Sequence, residues 1–436
     1  MSLVAHSPPL RDLNGRQINW IGAGYLLVLS SLPGQTIFIA QFNSALRENF
    51  SLSNGEFGLL YTAATLISSI CLIWAGGLVD RIAPRTLGLI CITALALVAV
   101  LMSRVNSILA LGIALFGLRF FGQGMMSHIA MTAMARWFNR FRGRALAFAQ
   151  MGFPTGEAIL PYVLTLAIIA YGWRQVWLAA AVFLIVVLAP VIAFLLNDPP
   201  DGKRALARGI INPDAQNCSA PTGSKWNRSA ILRDPIFYLI ILGVMGPAAI
   251  GTLFIFHQAH LSQIKGWDIG VFTAFFPALS LSVVVFAIIS GLLVDRLGAW
   301  RLLPFALIPQ GFGTLALGLF DPVWTIPVFF VSFGITGGIM SPVAGALWAE
   351  IYGTAHLGKI RALATSAMVL ASAVGPGLAG VLIDLKFDLD RQAFFYAAYC
   401  FVVSGAYFVF LKKFKARAEI MAYEQTTAQG LPLVLP

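Results

Sequence analysis

Long apolar stretches alternate with short polar ones along the whole chain. Twelve of them reach the length, about 20 residues, that a helix needs to cross a bilayer. They cover approximately 18–42, 55–79, 86–103, 108–135, 144–170, 174–196, 236–261, 269–294, 301–319, 323–349, 361–383 and 393–411. The first seventeen residues are polar and contain proline, with no apolar core of a cleavable signal. The longest polar connection, about 197–234, holds Asp198-Pro199-Pro200-Asp201-Gly202 and Pro221-Thr222-Gly223-Ser224, a turn-rich, flexible composition. It separates six spans over 1–196 from six over 235–436. The pattern predicts an all-α membrane protein of two six-helix bundles joined by a linker.

Composition agrees with this pattern. Of 436 residues, 58% are hydrophobic and 11% charged, where soluble domains carry roughly 25% charged residues. An ordinary soluble enzyme, a disordered chain and a disulfide framework are excluded. The four cysteines show no metal-ligand spacing. Charge then fixes the orientation. With both termini cytoplasmic, 22 of the 29 Lys and Arg fall on inner segments, six on outer loops, and Arg119 alone inside a span. This is the bias of a multi-pass protein of the plasma or inner membrane. The net charge of +11 is therefore a topology signal facing lipid headgroups, not a nucleic-acid footprint.

The chain repeats itself at an offset of 215 residues. Gly76, Leu78, Val79, Asp80 and Arg81 meet Gly291, Leu293, Val294, Asp295 and Arg296, and Gly55, Phe57, Gly122, Gly143 and Pro161 also meet identical residues. Parallel six-helix repeats imply a transporter-like body with its site between the halves near the bilayer midplane.

At these residues the sequence resembles the major facilitator superfamily of secondary transporters, over essentially its whole length. The family signature after the second helix is Gly-x-Leu-Ala-Asp-Arg-x-Gly-Arg-Arg. Here it stands as Gly76-Gly77-Leu78-Val79-Asp80-Arg81-Ile82-Ala83-Pro84-Arg85, with a second copy at Gly291–Gly298. Arg119-Phe120-Phe121-Gly122-Gln123-Gly124 is similar to the fourth-helix motif Arg-x-x-x-Gln-Gly. Arg136-Trp137-Phe138 followed by Arg142-Gly143-Arg144-Ala145 resembles the next link in monocarboxylate, oxalate/formate-type and organic-anion carriers. The Asp and Arg pair that monocarboxylate carriers place inside helix eight is absent here. The Gly-Pro motif of drug/proton antiporters is echoed by Gly152-Phe153-Pro154 and by Gly375-Pro376-Gly377. The resemblance implies the major facilitator fold, alternating access and no cofactor.

Candidate chemistry lies in two places. Gly76, Asp80, Arg81, Arg85, Gly291, Asp295 and Arg296 form the duplicated inner-face motif, which in the family latches the cytoplasmic side. Glu350 is an expected partner for Arg296 or Arg301. Deep in the membrane, Arg119 and Glu157 each stand near mid-span, where an ionisable group persists when it pairs, faces a wet cavity or does work. Gln123 and Met126 share a helix face with Arg119. The repeat counterparts of Arg119 and Glu157, Gly334 and Ser372, are uncharged, so these charges belong to the first half only. His257 lies where helix seven lines a central cavity, and His128 and His260 suit packing roles. Prolines 33, 154, 247, 277, 342 and 376 interrupt six spans.

The expected function is secondary active transport of a small organic anion, a carboxylate, coupled to protons. The substrate and proton residues would be Arg119, Gln123, Glu157 and His257, and the unit a monomer in the bilayer. Proton-driven efflux of amphipathic or drug-like compounds is the alternative within the class. A non-transporting membrane sensor on the same fold is the alternative outside it. No catalytic triad, phosphate loop or metal motif argues for an enzyme.

Overall fold

A computed structural model describes residues 15–138, 142–197, 228–353 and 356–428. The described residues are nearly all helical, with no strand among them. Most of the 197–234 linker, Cys218 included, lies outside them.

Eleven helices are long and apolar enough to span a membrane, and a twelfth span forms if one bent pair counts as one. The bent pair is α1, Gly15–Gly34 followed by Thr36–Phe50, with a 43° angle between its parts. The others are α2 (Asn54–Arg81), α3 (Pro84–Arg104), α4 (Ile108–Trp137), α5 (Gly143–Tyr171), α6 (Trp173–Leu195), α7 (Pro235–Phe256), α8 (Ile269–Leu297), α9 (Ala299–Leu319), α10 (Thr325–Tyr352), α11 (Ile360–Asp384) and α12 (Leu389–Met421). Each matches one expected apolar stretch to within a few residues, except at two ends. The second part of α1 runs on to Phe50. The helix of α12 continues to Ala428. Its extension, rich in Lys, Ala, Glu and Arg, is made of good helix formers with no Gly or Pro to stop it.

Proline acts as expected at several sites. Leu32-Pro33-Gly34 tightens into a 3-10 turn at the α1 bend. The helix of α5 breaks at Met151, three residues before Pro154. Pro277 starts the long part of α8 after a break following Thr273. By contrast Pro247, Pro342 and Pro376 sit inside continuous helices. Two irregularities have no sequence forecast. Leu118–Met126 in α4 and Leu184–Leu188 in α6 are wound as π-helix.

Packing sorts the chain into two compact units, and the sorting cuts three helices at mid-length. One unit holds α1 up to Gln35, α2 from Ile67, α3, α4, α5 up to Gly156, and α6 from Arg174. The other holds Thr36–Leu66, Glu157–Trp173 and α7 to α12. In the first unit, Trp20 and Ile21 of α1 pack on a buried cluster of Ala133, Met134, Phe138, Ala145 and Ala149.

In the second unit the beginning of α2 lies backbone-to-backbone on the end of α11. Lipid is as apolar as leucine, so such helices associate through close packing and hydrogen bonds rather than a hydrophobic drive. A Cβ on Gly58 would stand 2.7 Å from the Pro376 carbonyl oxygen and 3.1 Å from the Gly377 Cα. Thr62 Oγ1 donates to the Ala373 carbonyl at 2.7 Å. The Asp384 carboxylate accepts from Ser53 Oγ at 2.6 Å and from the Gly55 N–H at 2.9 Å, capping α2. Gly58→Val should therefore lower stability by about 1–3 kcal/mol, because main-chain neighbours cannot rotate away. Gly291→Ala, which meets nothing within 4 Å, should show no such loss. Thermal unfolding of the two purified variants in detergent checks this contrast.

Candidate functional site

The expected mid-membrane residues fall in different units. In the first unit, the break in α1 leaves main-chain groups without helical partners. Arg119 Nη1 donates to the Gly34 carbonyl at 3.0 Å, and the side chain is 1% exposed. The π-helical turns of α4 carry both Arg119 and Gly122. A Cβ on Gly122 would stand 2.7 Å from the Gly34 Cα, so only glycine on both helices admits this approach. Gln123 is half-buried on the same turns. Gln35 Nε2 donates to Ser31 Oγ at 3.2 Å, which ties the other side of the break. A hydrogen bond from a charged donor contributes about 1.5–3 kcal/mol. Arg119 is thus built into the α1 bend.

Glu157 opens the part of α5 that belongs to the second unit. Its carboxylate lies 3.4 Å from Ser280 Oγ of α8, a long contact. His257 sits at the turn between α7 and a short helix, Gln258–Lys265. It is 1% exposed, and its Nε2–H donates to the Pro376 carbonyl of α11 at 2.8 Å. Asn43 Nδ2 donates to the Phe256 carbonyl at 2.8 Å. The Phe57 and Tyr61 rings lie 5.3 and 4.6 Å from that of Phe256. His257 therefore belongs to a packed junction of α1, α2, α7 and α11. His260, nearby, bonds Asp388 at 3.1 Å.

The duplicated motif takes two forms. In the first half, Asp80 pairs with Arg136 at the end of α4, and Arg136 also donates to the Val79 carbonyl at 2.9 Å. His128 Nε2–H donates to the Gly76 carbonyl at 3.2 Å, where α2 loosens at Gly76-Gly77. Arg81 is exposed. Arg85 lines an open hollow of about 660 Å³ with Thr86, Leu89 and Thr93. In the second half, Glu350 at the end of α10 accepts from the N–H groups of Ala299 at 2.9 Å and Trp300 at 3.2 Å. The guanidinium partner expected for Glu350 is replaced by the first turn of α9, whose N–H groups and dipole favour a carboxylate. Asp295 and Arg296 are exposed, and Gly291 faces open space.

One ion pair escaped sequence reasoning. Asp234 begins α7, accepting from the Ile236 N–H at 3.2 Å. Its buried carboxylate also accepts from Tyr352 Oη at 2.7 Å and from both terminal nitrogens of Arg417, one at 3.0 Å. Burial alone would raise the Asp234 pKa. The bonds from Arg417 and Tyr352 outweigh it and hold the carboxyl below its ordinary value. The Asp234-Pro235 pair was a legible helix start. Its partner 183 residues away was not. Among the described residues no group of three or more His, Cys, Asp or Glu could hold a metal ion.

The Major Facilitator Superfamily model matches residues 24–333. The chain belongs to this family. It is 22% identical over 368 residues to the oxalate:formate antiporter of Oxalobacter formigenes, covering 82% of this chain and 83% of that one. It is 24% identical over 228 residues to the MFS transporter asaE of Aspergillus flavus, 51% of this chain and 47% of that protein. The match thus spans about half the length of that relative. It is also 25% identical over 300 residues to the membrane sensor protein UhpC of Escherichia coli, 66% of either chain. Two solved structures share the fold. One is a bacterial homologue of the human lysosomal transporter Spinster, with TM-score 0.63, 15% identity, and coverage of 97% of this chain and 100% of that one. The other is a point mutant of the nucleoside transporter NupG, with TM-score 0.65, 12% identity, and coverage of 89% and 99%.

The two carboxylates predict opposite costs. Asp80→Asn breaks an exposed pair and should cost at most about 1 kcal/mol. Asp234→Asn leaves the half-buried Arg417 facing a buried, neutral partner and should cost about 3 kcal/mol. Because its folded pKa is lowered, the Asp234 contribution is complete above its unfolded pKa and fades as pH falls through the folded value. Thermal unfolding at pH 7 should separate the two variants clearly.

Proposed function

We propose that this protein is a secondary active transporter of a small organic anion, a carboxylate, working by alternating access and coupled to protons. Both termini would be cytoplasmic. The observation that carries the reading is Arg119, a buried guanidinium at mid-membrane in a chain of this family. A guanidinium keeps its charge at any relevant pH and presents five donors in a planar fork that matches a carboxylate. One donor holds the Gly34 carbonyl. An entering carboxylate would engage others, so substrate binding would act directly on the α1 bend. Gln123 shares the turns, and Glu157, which meets the Ser280 hydroxyl by a long contact, would carry the proton. The 22% identity to an oxalate:formate antiporter over most of both chains supports the substrate class.

A second reading, a membrane sensor, draws on the similarity to UhpC. It predicts ligand binding without flux. Reconstitution in proteoliposomes with small carboxylates separates the two. Under transport, the parent protein accumulates label uphill in a proton gradient. Arg119→Lys, which keeps charge and loses the fork, should weaken uptake, and Arg119→Gln should nearly abolish it. Glu157→Gln should abolish uphill accumulation and spare carboxylate exchange. Binding with no flux in the parent would favour the sensor, and indifference of uptake to Arg119→Gln would overturn the anion site.

A further inference from the structure

The seam between α9 and α12 has a composition that the transport reading leaves unused. Two aromatic pairs line it. Phe305 meets Phe408 edge to face with ring centroids 5.1 Å apart, and Phe312 meets Phe401 at the same distance. The two members stand seven residues apart in each helix, about 10 Å along the axis in α12; in α9 the 3-10 turn Leu303–Phe305 opens the interval. Phe305, Phe408 and Phe312 are exposed, so the seam opens outward from the protein. Between the pairs lies Gly405, where an added Cβ would meet nothing within 4 Å. The result is an apolar notch walled by aromatic rings above and below.

Charge crowns this notch at one end only. Lys412 follows Phe408 by one α-helical turn, about 6 Å along the axis and on the same face. Arg301 precedes Phe305 by four residues, across the 3-10 turn Leu303–Phe305 that follows the first turn of α9, so both cations flank the same ring pair. Both are exposed. Arg301 lies over the Trp300 ring at 4.9 Å, and neither cation has an ion pair among the described residues. Their neighbours are otherwise engaged. Glu350 accepts from the Ala299 and Trp300 N–H groups, Lys415 pairs with Glu419 at 3.7 Å, Lys413 lies over Phe410, and Arg417 turns inward to Asp234. Two cations at headgroup depth over an apolar notch match one amphiphile: an acyl chain below and a phosphate above.

We propose that the α9–α12 seam is a binding site for one anionic phospholipid. Arg301 and Lys412 hold its phosphate, and an acyl chain lies over Gly405 between the two aromatic pairs. Binding here would brace α12 against α9 beside the Asp234–Arg417 tie.

Native mass spectrometry of the purified protein, equilibrated with equal phosphatidylglycerol and phosphatidylcholine, tests the assignment. The parent should retain phosphatidylglycerol about tenfold over phosphatidylcholine, as two basic residues near the surface allow. In Arg301→Gln/Lys412→Gln the preference should fall to near parity. Neither substitution removes a side-chain hydrogen bond among the described residues, so the fold is expected to survive. Gly405→Leu, with both cations intact, should lower retention of both lipids by filling the notch. Lys386→Gln/Arg391→Gln, at the opposite end of α12, should leave the preference unchanged. Equal retention of both lipids by the parent, or an undiminished preference in the double variant, would overturn the proposal. Displacement of the lipid by millimolar inorganic phosphate would overturn it too, reassigning the cations to a soluble anion.

Discussion

A helix that breaks inside a membrane must satisfy its main-chain groups without water, and the Gly34 carbonyl is where this chain meets that demand. Arg119 supplies the donor. The rest of the first unit is arranged so that it can. Gly34 and Gly122 let the backbones of α1 and α4 approach. The π-helical turns of α4 add the extra residue that a regular helix would not place there, a device often found at functional sites. The unit boundary in α1 then falls between Gln35 and Thr36, at the bend itself, and that in α5 between Gly156 and Glu157. Arg119 belongs to the first unit and Glu157 to the second. In the transport reading proposed above, a group that holds the bend and grips substrate would link binding to the conformation of α1.

The duplicated Gly-x-Leu-Val-Asp-Arg motif shows how one sequence repeat yields two electrostatic solutions. Both halves fasten the loop after their second helix to the end of their fourth. The first half does so with a cation, Arg136, on Asp80 and on a main-chain carbonyl. The second does so with an anion, Glu350, on main-chain N–H groups. The repeat preserves the carboxylate at Asp80 and Asp295, but only the first has an ion pair among the described residues. The exposed first-half pair contributes little to stability and can exchange partners, whereas a carboxylate on a helix N-terminus is fixed by geometry.

Much of the architecture was written in hydropathy. Twelve apolar runs became the spans because a bilayer leaves few alternatives to a helix. The Gly-x-Leu-Val-Asp-Arg repeat marked the ends of α2 and α8, and Pro33-Gly34 marked the bend. What stayed hidden depends on pairing between distant residues. Ser280 carries no charge to advertise it as the neighbour of Glu157. Asp234 and Arg417 look like ordinary ends of two helices. Glu350 was expected to seek a guanidinium and found a helix terminus, a partner with no side chain to read. The π-helix in α4 holds the glycine that approaches α1, and apolar periodicity does not register it.

The claim that Arg119 secures the α1 bend is open to direct measurement by hydrogen–deuterium exchange across residues 26–42. In Arg119→Gln the amides around Gly34 should exchange faster than in the parent, with α3 unchanged, and Arg119→Lys should recover part of the protection. Unaltered exchange around Gly34 in Arg119→Gln would contradict the account.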